Sequence, residues 1–264
     1  MTEEKLDELM EQVYKLVSKA NDEYVKLIVS MFTVKYGETA AVPAMTTALN
    51  KVTSLSNTLK RELKKRVEAV ITASFQLGAE GAGLDGEYTE EQQKELDQLI
   101  TDTTNDVLTA IKVMDQSAKR FIRVKTSEVS MYKKAVRDKQ GSTAYALSQT
   151  LSESKLEKDA KRNFTGLIDK ADRRWNFLTY TQMVLRTKVS QAHIYATAMI
   201  AKENGIHLFK ISTHGATDAC RHYEGRIITV GEKIDGYPQF EELSAKGEVF
   251  HVNCLHRITP YTGD

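Results

Sequence analysis

The sequence predicts a mainly α protein: a body of long helices, then a small α+β C-terminal domain whose short β-sheet is stapled by zinc. Three observations carry this reading. No proline stands between Pro43 and Pro238, so nothing in that span removes a backbone N–H from a long helix. Apolar residues recur at three- and four-residue steps through most of that span. Finally, Cys220 and Cys254, the two cysteines, fall after Ile211 together with His214, His222, His251 and His256, four of the six histidines. Thiolate and imidazole concentrated in this way read first as a zinc site.

Length and charge bound the function. A chain of 264 residues can bury a sizeable core and make one long domain or two ordinary ones. A net charge of +1 supplies no global field toward nucleic acid or membrane. The opening MTEEKLDELMEQ is acidic and amphipathic, which predicts no secretory signal there. No apolar run approaches the roughly eighteen residues a bilayer span needs, so no membrane partner is expected. Two cysteines suit synthesis in a reducing cytoplasm.

The first helix is marked by Leu6, Leu9, Val13, Leu16 and Ala20, resuming at Tyr24, Leu27, Met31 and Val34. This is a heptad-like stripe with one stutter. Gly37 and Pro43 bracket the turn that ends it. A second helix is expected from Ala44 to Leu77, with Leu49, Val52, Leu55, Leu59, Leu63, Val67, Val70 and Phe75 on its apolar side. Its basic middle, Lys60 to Arg66, reads as a solvated face. Residues 78–88 read as a glycine loop; with no following Gly-Lys-Ser/Thr they do not make a phosphate loop.

Thr89-Glu90-Glu91-Gln92 is a capping box opening a third helix, whose stripe runs through Leu96, Ile100, Val107, Ile111, Met114 and Phe121. From Lys119 to Lys139 its polar face turns basic, either a solvated face or a contact for DNA phosphates or an acidic protein surface. Gln140-Gly141-Ser142 breaks it. Ser154 to Glu157 is a second capping box, for a short helix ending near Gly166. The domain boundary is expected there, with 1–165 a helical body and 166–264 a C-terminal domain. Leu167 to Asn204 reads as one or two helices with Trp175 as a core anchor, and Asn204-Gly205 as their C-cap.

Three short strands follow: His207 to Ser212, Arg226 to Val230 after the Tyr223-Glu224-Gly225 turn, and Phe250 to Ile258. Three such strands are marginal alone, and a metal ion tying the first to the last would staple them. Cys254 and His256 are two apart, so on an extended strand both face one side. Surface histidines around a buried thiol, or a Cys220–Cys254 disulfide, remain the alternatives at this point.

The last third, from about Trp175 to Gly263, resembles the phage minor capsid proteins of the minor capsid protein 2 type, related to the Mu F-like head-morphogenesis domains. The resemblance rests on Trp175, Tyr180, Met183, Arg186 and Thr187, then on an Asn-Gly turn before a strand. It continues through Ser212, His214, Ala216, Cys220 and Gly225, and through Tyr237-Pro238. It closes on Asn253, Cys254, His256, Pro260 and Gly263. The chain departs from the family pattern at Thr217 and Asp218, where an arginine-proline pair is usual, at Cys220, where a histidine is usual, and at Tyr223-Glu224, where the pattern has an aromatic-Gln pair.

The resemblance implies a low-copy structural virion protein of the phage head, made in the bacterial host cytoplasm, oligomeric within the particle and associated with the portal or the major capsid protein. The basic stretch Lys119 to Lys139 would then offer a contact for packaged DNA. The zinc ligands expected from the residue types and spacing, with the family motif behind His214, Cys254 and His256, are His214, Cys220, Cys254 and His256, four N/S donors that close a tetrahedron in the structural pattern. His251 stands first in reserve, because H-x2-C also forms a knuckle, and His222 second. The other class of function is a metal-dependent hydrolase or nuclease carried in the virion, which needs an open metal position and a base such as Glu224 or Asp218.

Overall fold

The structure is a computed structural model that describes residues 1–38, 45–163, 167–168 and 174–263. It is mainly α. Helices α1 (Glu3–Phe32), α2 (Met45–Gly81) and α3 (Glu90–Arg137) are followed by the shorter α4 (Gly141–Thr150) and α5 (Glu153–Asn163). A strand pair, β1 (Leu167–Ile168) and β2 (Arg174–Trp175), precedes α6 (Phe177–Glu203). The C-terminal stretch adds β3 (Phe209–Ile211), β4 (Ile227–Ile228), α7 (Phe240–Lys246) and β5 (Ile258–Pro260). Its sheet is antiparallel throughout, in the order β4-β3-β5. No described helix is long and apolar enough to cross a membrane.

By contact density the chain divides into two compact units. One comprises Met1–Val13, Lys64–Val107 and Gln182–Asp264; the other comprises Tyr14–Leu63 and Leu108–Thr181. The division falls inside α1, α2, α3 and α6. The expected boundary between residues 165 and 166 lies outside the described residues, as do Pro43 and Gly166.

In the second unit α1, α2 and α3 pack by their apolar stripes. On this part of α1 the buried positions are Val17, Ala20, Tyr24, Val25, Ile28, Met31 and Phe32, while Leu16 and Leu27 are only half-buried. The buried face is therefore broader than the heptad line through the leucines, as a 3.6-residue period requires of a helix covered by more than one neighbour. One polar chain crosses this core. The Tyr24 hydroxyl lies 2.5 Å from Ser56 Oγ, which donates to Asp115 Oδ1 at 2.5 Å, and Lys119 Nζ sits 2.7 Å from the other Asp115 oxygen. Burial, foremost, pushes the Tyr24 phenol up to about 12, so it stays a neutral donor.

In the first unit α2 meets α6. Ser74 Oγ donates to the Val189 carbonyl at 2.7 Å, and Thr197 Oγ1 to the Gly78 carbonyl at 3.2 Å. A Cβ at Gly78 would stand 2.3 Å from the His193 carbonyl oxygen. Gly78 is thus a notch for close backbone approach rather than the start of a loop, and α2 continues through it to Gly81. The Thr89 capping box forms: Thr89 N–H donates to Gln92 Oε1 at 3.0 Å, and Gln92 N–H to Thr89 Oγ1 at 3.3 Å. The buried Gln92 amide also spans both Glu203 oxygens at 2.8 Å, joining α3 to the end of α6. At the unit's edge Arg257 pairs with Glu3.

Three further expectations are corrected. Ser154 lies inside the first turn of α5, which starts at Glu153, so Ser154–Glu157 is not its capping box. Trp175 sits half-buried on β2 rather than anchoring a helical core, and Phe177, the first residue of α6, is the buried aromatic there. The last strand is Ile258–Pro260, not Phe250–Ile258. Phe250 and Asn253 take left-handed φ values of 58° and 66°, which bends residues 250–254 out of strand geometry.

Candidate metal centre

Two loops and one turn build the site at one end of the small sheet. After β3, Ser212 to Asp218 leads into a short 3-10 helix, Ala219–Tyr223. Asp218 caps it, its Oδ1 accepting from the Cys220 N–H at 3.0 Å. Gly225, with φ 74°, makes the turn into β4, and its N–H returns to the Ile211 carbonyl at 3.0 Å. Ahead of β5 the left-handed Asn253 closes a turn in which the Cys254 N–H donates to the His251 carbonyl at 2.9 Å. Helix α6 holds this turn from behind: Asn253 N–H donates to Thr187 Oγ1 at 3.3 Å, and Ser190 Oγ to the His256 carbonyl at 3.2 Å.

Cys254 and His256 are buried at 5% and 1% exposure, while Leu255 between them is 67% exposed. The expected two-residue alternation therefore holds, although no strand pairs with this segment. Cys220 is buried as well.

The donors fall into two groups of three. In the first, Cys220 Sγ lies 3.8 Å from Cys254 Sγ and 2.9 Å from His251 Nε2. In the second, the Glu224 carboxylate stands 3.4 Å from His214 Nδ1 and 3.4 Å from His256 Nε2, and the two imidazole rings lie with centroids 4.2 Å apart at a tilt of 36°. The groups touch where Cys254 Sγ lies 3.2 Å from His256 Nδ1. A cleft of about 310 Å³ opens onto His214, Cys220, Cys254 and His256.

The electrostatics follow from these contacts. Glu224 accepts the N–H groups of His214 at 2.9 Å and Ala216 at 3.0 Å. The Ala216 N–H foremost, with that of His214, holds its carboxyl down to about 2. Burial, then the neighbouring Cys254, pushes the Cys220 thiol up to about 12. Burial, then His214, lowers the His256 imidazole below its ordinary value. His256 Nε2 is buried without a hydrogen-bond partner. Two thiols and two or more imidazoles in one place are a soft to borderline donor set, which suits zinc among the common divalent ions.

The structure thus brings together the four residues singled out in the sequence, but in two pairs: Cys220 with Cys254, and His214 with His256. It adds His251, which the sequence reading held in reserve, and Glu224, which that reading considered only as a hydrolytic base. Glu224 is recognisable only once the turn brings it back over His214, ten residues earlier. His222 joins neither group.

A family model described as phage minor capsid protein 2 matches residues 1–263. No curated protein matches the chain, and no solved structure does.

Proposed function

The chain belongs to the phage minor capsid protein 2 family, a structural component of the phage head, and from that premise we propose how its parts serve the particle. The helical body docks on the portal or the major capsid protein, the basic stretch of α3 faces packaged DNA, and a structural zinc holds the C-terminal sheet. Neither catalysis nor a membrane enters this reading.

The observation that carries the docking role is the exposed side of α3. Val124, Met131 and Val136 are large apolar side chains left exposed there, and Arg120, Arg123, Lys133, Lys134, Arg137 and Lys139 are exposed around them. Lys119, Lys125 and Arg137, by contrast, are paired, with Asp115 at 2.7 Å, Glu128 at 2.9 Å and Asp138 at 3.0 Å. A surface that mixes apolar area with unneutralised cations fits a protein or nucleic-acid partner better than water alone. Changing Lys133, Lys134 and Arg137 together to Glu should lower DNA retention in assembled particles, with a steep salt dependence in the parent protein. A cryo-EM map of the particle tests the docking. Density for these helices at the portal vertex or the inner capsid wall supports it, and a chain located elsewhere overturns it.

The zinc role draws on Cys220, Cys254 and His256 and on a fourth donor, for which the sequence singled out His214 and the first close group also offers His251. Three two- and three-residue strands bury too little to stand alone, and a metal bridging residues 220 and 254 closes the loop between β3 and β5. Elemental analysis of the purified chain tests it: one zinc per chain supports the staple, and a folded, metal-free C-terminal segment ends it. The hydrolase alternative would need Glu224 as a base poised near neutrality. Its carboxylate is committed to two backbone N–H groups and held far below that range.

A further inference from the structure

Resting on the zinc reading above, we infer that the fourth ligand is His251 through Nε2, and that Glu224 and His214 form the outer shell of the site. The metal would be bound by Cys220, His251, Cys254 and His256, three of them within the six residues from His251 to His256.

Three observations support this set. Zinc–sulfur bonds of about 2.3 Å in a tetrahedron set two sulfurs about 3.8 Å apart, and Cys220 and Cys254 stand at 3.8 Å. The proton positions on the imidazoles agree. His251 Nδ1 lies 2.9 Å from the Val252 carbonyl oxygen, which can only accept, so Nδ1 carries the hydrogen. In the neutral ring the lone pair is then on Nε2, which stands 2.9 Å from Cys220 Sγ, with the Asp218 carboxylate farther off at 3.4 Å. An imidazole N–H held by a backbone carbonyl while the other nitrogen faces the metal is the usual outer-shell arrangement. His256 is set the opposite way. Its Nε2 faces the Glu224 carboxylate and its Nδ1 faces Cys254 Sγ, so a hydrogen on Nε2 leaves Nδ1 to bind.

His214 is oriented differently. Its Nδ1 and its backbone N–H both turn to Glu224, and its ring lies tilted against that of His256. The ligating atoms of His251, Cys220 and Cys254 form one close group, whereas His214 groups with the carboxylate and His256. Glu224 therefore acts as a positioning residue: one ionised carboxylate, fixed by two backbone N–H groups, orients the buried His256 ring whose Nε2 has no other partner. The turn geometry fits this division. Left-handed Asn253 and the Cys254 N–H to His251 carbonyl bond place residues 251 and 254 on one side of a tight knuckle.

The test uses the full chain loaded with the NMR-active isotope of cadmium and carrying histidine labelled with heavy nitrogen. Scalar coupling from the metal to Nε2 of His251 and Nδ1 of His256, with none to His214, is the expected result. Coupling to His214 and none to His251 overturns this assignment while leaving the metal staple intact. A chain that binds neither cadmium nor zinc overturns the staple itself, and the assignment with it. As a second measurement, His214→Ala should keep one metal per chain, and Glu224→Gln should keep it with affinity weakened roughly 10- to 100-fold. Loss of stoichiometric metal in His214→Ala, or unchanged affinity in Glu224→Gln, counts against the outer-shell roles.

Discussion

Tyr24 and His256 are both almost wholly buried polar side chains, at 0% and 1% exposure, and their surroundings treat them in opposite ways. The Tyr24 hydroxyl is handed to Ser56 and through it to Asp115 and Lys119. His256 Nε2 reaches only the Glu224 carboxylate, at a loose 3.4 Å, and its Nδ1 meets only the Cys254 sulfur at 3.2 Å. Buried polar groups are nearly always satisfied, and an orphan calls for a missing partner. The Tyr24 hydroxyl finds its partners among the core's own residues, whereas the ligand-type atoms of the C-terminal site face one another with room for something to be added.

The largest expected effect breaks that comparison outright. Chelation, or Cys254→Ser, should remove the metal contribution, on the order of 10 kcal/mol for structural zinc sites. Hydrogen exchange should then show residues 207–263 losing protection while the Tyr24 core keeps it. Equal loss in both regions would mean that the two are one cooperative unit and the contrast is false.

Next come two changes in the helices, Gly78 in the unit that also holds the site and Ser56 in the other. Gly78→Ala places a methyl 2.3 Å from the His193 carbonyl and should cost about 2 to 3 kcal/mol in a denaturant melt, because two backbones must separate. Its zinc content should not change. Ser56→Ala should cost about 2 kcal/mol, since it removes the Ser56 hydrogen bonds to Tyr24 and Asp115 from the core. A double-mutant cycle with Tyr24→Phe should show the two effects to be non-additive.

The smallest effect is a pH dependence. Burial holds the His193 imidazole down to about 4, against 6.5 when free. Its folded form binds fewer protons than the unfolded one. The stability from keeping it neutral is complete above pH 6.5 and is lost as the pH falls from 6.5 to 4. For a ring with residual solvent contact this amounts to about 1 to 2 kcal/mol. His193→Gln should flatten that slope in melts across the range.

The helical part of this molecule was readable because its signals are local and repeated. Val52, Leu59, Leu63, Val67 and Val70 announce α2 with a period of three and four, and Thr89 with Gln92 marks the start of α3 to the residue. What was misread depended on partners far along the chain. Gly78 looks like a loop glycine until α6 arrives against it, and Trp175 looks like a core residue until Phe177 takes that place. The same holds at the site. Residue type alone brought out Cys220, Cys254, His214 and His256, because soft donors are scarce elsewhere. Which of them meet could not be read, since it depends on two turns: left-handed Asn253, which pulls His251 in, and Gly225, which folds Glu224 back over His214. Neither turn has a periodic signature.

The ion pair between Glu3 and Arg257 also bears on timing. Its partners are 254 positions apart, and at roughly 5 to 20 residues per second a ribosome needs about 10 to 50 s to pass from one to the other. The unit built from residues 14–63 and 108–181 has all its pieces earlier, whereas the unit holding both Glu3 and Arg257 waits for the last strand. During that interval the first turns of α1, with Leu6 and Val13 on the face buried in the finished fold, have emerged without their C-terminal partner.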